Sequence, residues 1–132
     1  FVQYQFVVPF GEEATMRTVI ERISHSGAAS FLAVLKRFGP GNQAPLSFPS
    51  PGWTLALDLP ANARGLSELL HGLDNLVIEA GGRHYFAKDA LTTPEMVRRG
   101  YPRLDEWKHV RESVDPHHVW ASDLGRRLKL ID

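Results

Sequence analysis

Phe31-Leu-Ala-Val-Leu-Lys-Arg-Phe-Gly-Pro-Gly-Asn-Gln-Ala-Pro-Leu-Ser-Phe-Pro-Ser-Pro-Gly-Trp-Thr-Leu-Ala-Leu-Asp-Leu59 carries two strand-like runs on either side of a loop dense in proline and glycine. In the first run, residues 30 to 38, Leu32, Val34, Lys36 and Phe38 alternate with Phe31, Ala33, Leu35 and Arg37, the two-residue period of a strand. In the second, Trp53, Leu55, Leu57 and Leu59 make an apolar face that predicts core, while Thr54, Ala56 and Asp58 make a small, polar face that suits a cavity wall or solvent. Pro40, Pro45, Pro49 and Pro51 restrict the connection. Its length, about a dozen residues, goes with function or disorder in a compact domain. Lys36 is the one lysine of the first run. Burying an unpaired ammonium is costly, so Lys36 must reach solvent, meet a partner or face a cavity that takes an anionic or polar ligand.

Outward from this segment, the pattern repeats strand, helix, strand on both sides. Residues 1 to 8 alternate with Gln3 and Gln5 on one face and Tyr4 and Phe6 on the other. Pro9 and Gly11 end that strand, and Met16, Val19, Ile20 and Ile23 then recur at helical spacing behind Glu12 and Glu13, with Gly27 as the stop. Leu66, Leu69, Leu70, Leu73, Val77 and Ala80 mark a second amphipathic helix, stopped by Gly81-Gly82. A fourth strand, roughly residues 83 to 87, leads into Lys88-Asp89. Beyond it, Thr92-Thr-Pro-Glu95 reads as a capped helix start, Leu104, Trp107, Val110 and Val114 give a further helix, and Ser122-Asp123 caps a last short one. This order predicts an α+β domain: an antiparallel sheet of about four strands with two helices on one face, the ferredoxin-like split βαβ arrangement, followed by C-terminal helices. The other sheet face is then wet or covered by something outside the chain.

At 132 residues the chain has the size of one domain. Fifteen basic and 15 acidic residues balance to zero, which leaves no electrostatic footprint for nucleic acid or for an anionic bilayer. Arg98-Arg99 and Arg126, Arg127 and Lys129 read as solvated helix faces. With no cysteine, disulfides, thiolate nucleophiles and iron–sulfur ligation are excluded. No apolar run approaches membrane-spanning length, so any membrane association is peripheral. The strand-like start without a methionine predicts a piece of a longer protein. His117-His118 diverge in any regular element, and His25, His71, His84 and His109 lack ligand spacing. No nucleophile elbow, P-loop or dinucleotide fingerprint occurs.

The candidate chemistry therefore rests on polar side chains of strands and strand ends: Gln3, Gln5, Lys36 and Lys88, with Tyr85 beside them. As ordinary solvent-facing sheet residues they would need no explanation. Tyr85 and Lys88 are three apart and point to opposite faces of a regular strand, so both line one site only if the strand ends or bulges there.

Four blocks, Phe31-Leu-x-Val-x-Lys-x-Phe-Gly-Pro-x-Asn-Gln-Ala-Pro-Leu-Ser-Phe-Pro-x-Pro-Gly-Trp53, Asp58-x-Pro60, Gly81-Gly-Arg-x-Tyr-x-Ala-Lys-Asp89 and Val114-Asp-Pro-x-x-Val-x-Ala-Ser-Asp123, together resemble the C-terminal part of the decaprenylphosphoryl-β-D-ribose oxidases, flavoproteins of the vanillyl-alcohol-oxidase class. The resemblance implies a substrate-binding cap domain, with FAD held mainly by an N-terminal domain outside this chain and the isolated piece inactive. It further implies Lys88 and Tyr85 beside the isoalloxazine as catalytic and cofactor-binding residues. Gln3 and Gln5 fall at the substrate end, with Lys36, Phe38 and Thr54 on the pocket wall. The implied reaction is oxidation at C2 of a polyprenylphosphoryl-β-D-ribose in arabinan precursor synthesis, with an NAD-dependent short-chain reductase as partner enzyme and peripheral attachment to the membrane. A cation such as Lys88 suits the negative charge that hydride transfer builds on a flavin, and amides suit sugar hydroxyls. Some relatives carry Asn at the position of Thr54 and Cys at that of Ala56. That difference keeps an aldonolactone or sugar-alcohol oxidase open as an alternative, beside a non-enzymatic α+β binding module.

Overall fold

A computed structural model describes residues 1–28 and 30–131. Strand β1 (Val2–Pro9) is followed by α1 (Glu13–Ser26), β2 (Leu32–Phe38), β3 (Gly52–Leu59), α2 (Leu66–Glu79) and β4 (Arg83–His84). The sheet runs β2-β3-β1-β4, with each neighbouring pair antiparallel. This is the split βαβ arrangement expected from the alternation of elements. A 3₁₀ turn (Phe86–Lys88) and helices α3 (Pro94–Gly100), α4 (Leu104–Val114) and α5 (Asp123–Arg127) complete the chain.

The strand period decides which face is core. Register puts Tyr4 opposite Leu57 and Phe6 opposite Leu55, and these side chains join Val8 and Leu59 under Val19 and Ile23 of α1 and Leu70, Leu73 and Val77 of α2. Phe6 is wholly buried there, and sealing such a side chain contributes about 1.5–3 kcal/mol. A second cluster, Val97, Tyr101, Leu104, Leu128 and Leu130, holds the C-terminal helices together. Thr93 and Ser122 cap α3 and α5 by accepting from the amides of Met96 and Gly125.

Three sequence expectations are corrected. β4 is shorter than residues 83 to 87: it stops at His84 because the chain turns into the 3₁₀ segment. The apolar stripe of α4 is only partly core, since Leu104 is buried but Val110 and Val114 are exposed. Arg127 is not merely a solvated charge. Its guanidinium pairs with the Asp89 carboxylate and donates to the backbone oxygens of Thr92 (3.0 Å) and Asp89 (3.1 Å), tying α5 to the segment just after Lys88.

Candidate functional site

Opposite the helices, the register lays the polar side chains out in rows. One row reads Arg83, Val7, Thr54, Lys36 and another Gln3, Asp58, Leu32 across the neighbouring strands. Between them lies Gln5, Ala56, Val34, which Tyr85 joins through its backbone N–H to the Gln5 oxygen (3.0 Å). Gln3, Gln5, Thr54, Lys36, Phe38 and Tyr85 are thereby gathered on or beside one sheet face.

Half of that face carries its own roof. The proline-rich loop, residues 39–51, folds back so that Phe48 stacks on Tyr85 (centroids 4.7 Å apart) and meets Phe38 edge-on (5.6 Å). The loop is fastened by two arginines: Arg83 Nη1 donates to the Ser47 oxygen (2.9 Å) and Arg103 Nη1 to the Gln43 oxygen (2.9 Å). Beneath this cover Val7 and Thr54, 0% and 1% exposed, are sealed. The Thr54 hydroxyl donates to the Phe6 oxygen (2.7 Å) and accepts from Gln5 Nε2 (3.1 Å), so it meets the face through Gln5. On the unroofed half, Gln3 Nε2 donates to Asp58 Oδ1 (2.9 Å). Lys36, on edge strand β2, reaches solvent, which also guards that edge against pairing with another chain.

β4 does not extend to Tyr85 and Lys88. The strand finishes at His84, and the Lys88 N–H returns to the Tyr85 oxygen (3.0 Å) in an i to i+3 turn, so the strand alternation that would set the two residues on opposite faces does not apply. Tyr85 keeps 37% of its surface exposed although Phe48 covers one side of its ring.

Sequence reading missed what holds β4 in place. On the core side, the Tyr4 hydroxyl lies 2.8 Å from Asp74 Oδ1 and 3.1 Å from His84 Nε2, and His84 Nε2 is 2.9 Å from the same carboxylate oxygen. The Tyr101 hydroxyl donates to the His84 backbone oxygen (2.5 Å). Burial, then the Asp74 charge, pushes the Tyr4 phenol well above its ordinary range. One available signal was Asp74, a carboxylate in the apolar run of α2 that needs a partner when buried. Another was Phe48, the aromatic residue between Ser47 and Pro49 in the quoted loop.

A separate hollow of about 550 Å³ lies among the C-terminal helices, lined by Trp107, Val114, Trp120, Leu124, Leu130 and Ile131. The Asp115 carboxylate closes its loop by accepting from the amides of Val119 (2.9 Å) and Trp120 (3.0 Å). Burial raises its pKa, but those amides, Arg111 and His118 outweigh burial and hold the group below the usual carboxylate range. Among the described residues, no cluster of three or more acidic or imidazole side chains could hold a metal, and no helix is long and apolar enough to cross a membrane.

The sequence profile of the D-arabinono-1,4-lactone oxidase family matches residues 60–128, more than half of the chain. The chain belongs to the D-arabinono-1,4-lactone oxidase family. The match takes in Tyr85 and Lys88 but not the strands that carry Gln3, Gln5, Lys36 and Thr54. Those strands are covered by a decaprenylphosphoryl-β-D-ribose oxidase of Mycolicibacterium smegmatis, 54% identical over 131 residues, which are 99% of this chain and 28% of that protein. An uncharacterized protein of Streptomyces coelicolor is 45% identical over 129 residues, 98% of this chain and 35% of its own length. The resemblance read from the four sequence blocks thus extends along the whole D-arabinono-1,4-lactone oxidase family chain, which spans about a third or less of these relatives.

Proposed function

We propose that this chain is the substrate-binding part of an FAD-dependent oxidase that removes hydride from a secondary alcohol of a sugar, C2 of a polyprenylphosphoryl-β-D-ribose. The observation that carries the reading is the open sheet face, where two primary amides stand on β1 and a partly exposed phenol follows β4, with Lys88 closing the 3₁₀ turn after it. Amides and a phenol match the donors and acceptors of a polyol. The 54% identity to a protein of that activity supports the substrate.

The residues fit a flavin edge by their chemistry: Tyr85 offers a partly exposed ring and Lys88 a cation at the close of the 3₁₀ turn after it. Bound there, FAD would supply the two-electron acceptor for the alcohol's hydride. Gln3 and Gln5 orient the sugar through its hydroxyls. Lys88 places a positive charge where negative charge develops, an effect that grows as water is excluded. Phe48 and Phe38 back the Tyr85 ring and keep water from its covered side. FAD's phosphates and adenine would be held by an N-terminal domain of the same polypeptide packed on the open half of the face. An NAD-dependent short-chain reductase would consume the keto product, and the enzyme would work at a membrane surface where its lipid-linked substrate resides.

A second reading, oxidation of an aldonolactone, is favoured by the family whose profile the chain matches. Stopped-flow reduction of the full-length enzyme's flavin by a short-chain polyprenylphosphoryl-β-D-ribose and by D-arabinono-1,4-lactone separates the two. Faster reduction by the phosphoryl ribose is expected. Reduction by the lactone alone would overturn the first reading.

A further inference from the structure

We propose that Asp58 and Thr54 are positioning residues that lock the Gln3 and Gln5 amides with their carbonyl oxygens toward the ligand, making this wall a hydroxyl-selective, anion-rejecting surface. The inference rests on the polyol-binding reading above and deepens it.

A primary amide can turn over at little cost, and its two ends are opposite in character, two N–H donors at Nε2 and two lone pairs at Oε1. Its neighbour therefore decides which end faces outward. An ionised carboxylate only accepts, so the 2.9 Å contact from Gln3 to Asp58 Oδ1 must be made by Nε2, leaving Oε1 pointing away. Thr54 reaches the same result by a different route. A hydroxyl has one proton, and that of Thr54 is engaged by the Phe6 oxygen at 2.7 Å, so toward Gln5 at 3.1 Å it can only accept. Flipping either glutamine would set oxygen against oxygen.

Both locks are built into the sheet. Gln3 and Asp58 are cross-strand partners on β1 and β3, and Thr54 stands opposite Val7, next along β3 from the Gln5 partner Ala56. Thr54 is sealed under the Phe48 loop and Asp58 is 8% exposed, so neither competes for solvent. The Asp58 backbone is itself pinned, its N–H donating to Ser30 Oγ (3.2 Å). Ala56 between them adds no polar group. The resulting wall offers two outward carbonyl oxygens beside a carboxylate. A sugar hydroxyl donates to such a wall, where the one amide donor left is the second N–H of each Nε2; a phosphodiester, which has no proton to give and carries like charge, is disfavoured against the two carbonyl oxygens and the carboxylate. The phosphoryl end of the ligand then lies off this wall, and the two faces of the sugar are distinguished.

The test uses the full-length enzyme labelled with ¹⁵N at glutamine side chains, with methyl β-D-ribofuranoside as neutral probe and dimethyl phosphate, a diester anion with no proton to donate, as anionic probe. In wild type, the Gln3 and Gln5 amide signals should show restricted geometry, shift with the glycoside and ignore dimethyl phosphate. Asp58→Asn allows Gln3 to turn over, and Thr54→Val removes the acceptor for Gln5. Each is expected to weaken glycoside binding and raise KM on the order of tenfold with kcat largely kept, while Thr54→Ser, which retains the hydroxyl, restores the wild-type value. Freely averaging amide signals in wild type, unchanged glycoside affinity in Asp58→Asn, or dimethyl phosphate shifts at Gln3 and Gln5 would each overturn the proposal. The wild-type substrate profile is read separately: a preference for the lactone, itself a polyol, would sink the phosphoryl-ribose reading while the amide signals still support the locks.

Discussion

Lys88 and Asp74 are both charged residues near β4, and they make opposite demands on the protein. Lys88 is half-buried at the end of the 3₁₀ turn, where a cation is useful only if negative charge appears beside it. In the full-length enzyme, Lys88→Met keeps the packing of the stem and should slow flavin reduction by the sugar on the order of a hundredfold, the effect of losing one fixed electrostatic contact worth about 3 kcal/mol in the transition state. Single-turnover reduction at the wild-type rate in a folded, flavin-loaded variant would return Lys88 to the solvated surface. Asp74 is structural. It gathers the Tyr4 hydroxyl and His84 Nε2 in the core, and its removal leaves those two groups with only each other, 3.1 Å apart. Asp74→Ala should therefore destabilise the fold by about 2–4 kcal/mol in denaturant unfolding, with Asp74→Asn, which keeps an acceptor oxygen, milder.

β4 is the element on which the site depends most and which has the least of its own to hold it, two residues of pairing with β1. What delivers it is the end of α2. Gly81 takes a left-handed conformation (φ 75°), its N–H returns to the Ile78 oxygen (3.0 Å) and that of Gly82 to the Val77 oxygen (2.8 Å), the paired closure of a Schellman motif. At Gly82 the chain then passes so close to β1 that a Cβ would lie 2.4 Å from the Val7 oxygen. Gly82→Ala should accordingly cost about 1–3 kcal/mol and displace Tyr85 along with the strand. Chemical denaturation measures the first effect; the loss of upfield ring-current shifts from the Phe48–Tyr85 stack measures the second. A variant as stable as wild type with the stack intact would mean that β4 has slack the close approach does not suggest.

Stability of the entire domain should carry the imprint of its buried phenols. Tyr4 is held above its ordinary value of 10.0 by burial and then by Asp74, and Tyr101 is raised from the same value by burial against the opposing pull of Arg83. A phenol whose folded pKa exceeds its unfolded one favours the fold fully below the unfolded value, and the contribution is lost as pH climbs from there through the folded value. Melting temperature should thus hold up to pH of about 10 and then fall, with each phenol costing about 1.4 kcal/mol per pH unit in that window. Thermal melts between pH 8 and 11 on wild type and on Tyr4→Phe with Tyr101→Phe check this: the double variant starts lower but should decline more gently, and parallel curves would rule out the phenols as the cause.

Local pattern along the chain specifies the class of fold and the membership of each sheet face. Alternation with period two separates Gln3 and Gln5 from Tyr4 and Phe6 whatever the partner strands are, and the helix stripes ending at Gly27 and Gly81-Gly82 leave one face of the sheet for α1 and α2. It also named the residues that the register gathers on the other face, because a polar side chain in an apolar run stands out locally. What those residues meet is set by packing between distant segments. That the Thr54 hydroxyl is turned to accept from Gln5 follows from the Phe6 carbonyl 48 positions away in sequence, and that Val7 is sealed follows from a loop whose docking is set by Arg83 and Arg103. The brevity of β4, which joins Tyr85 and Lys88 through a 3₁₀ turn, reflects the turn of Phe86–Lys88 winning over strand pairing. Such choices are made by contacts between distant segments, which local patterns do not encode: periodicity assigns a side chain to a face, and only packing decides what meets it there.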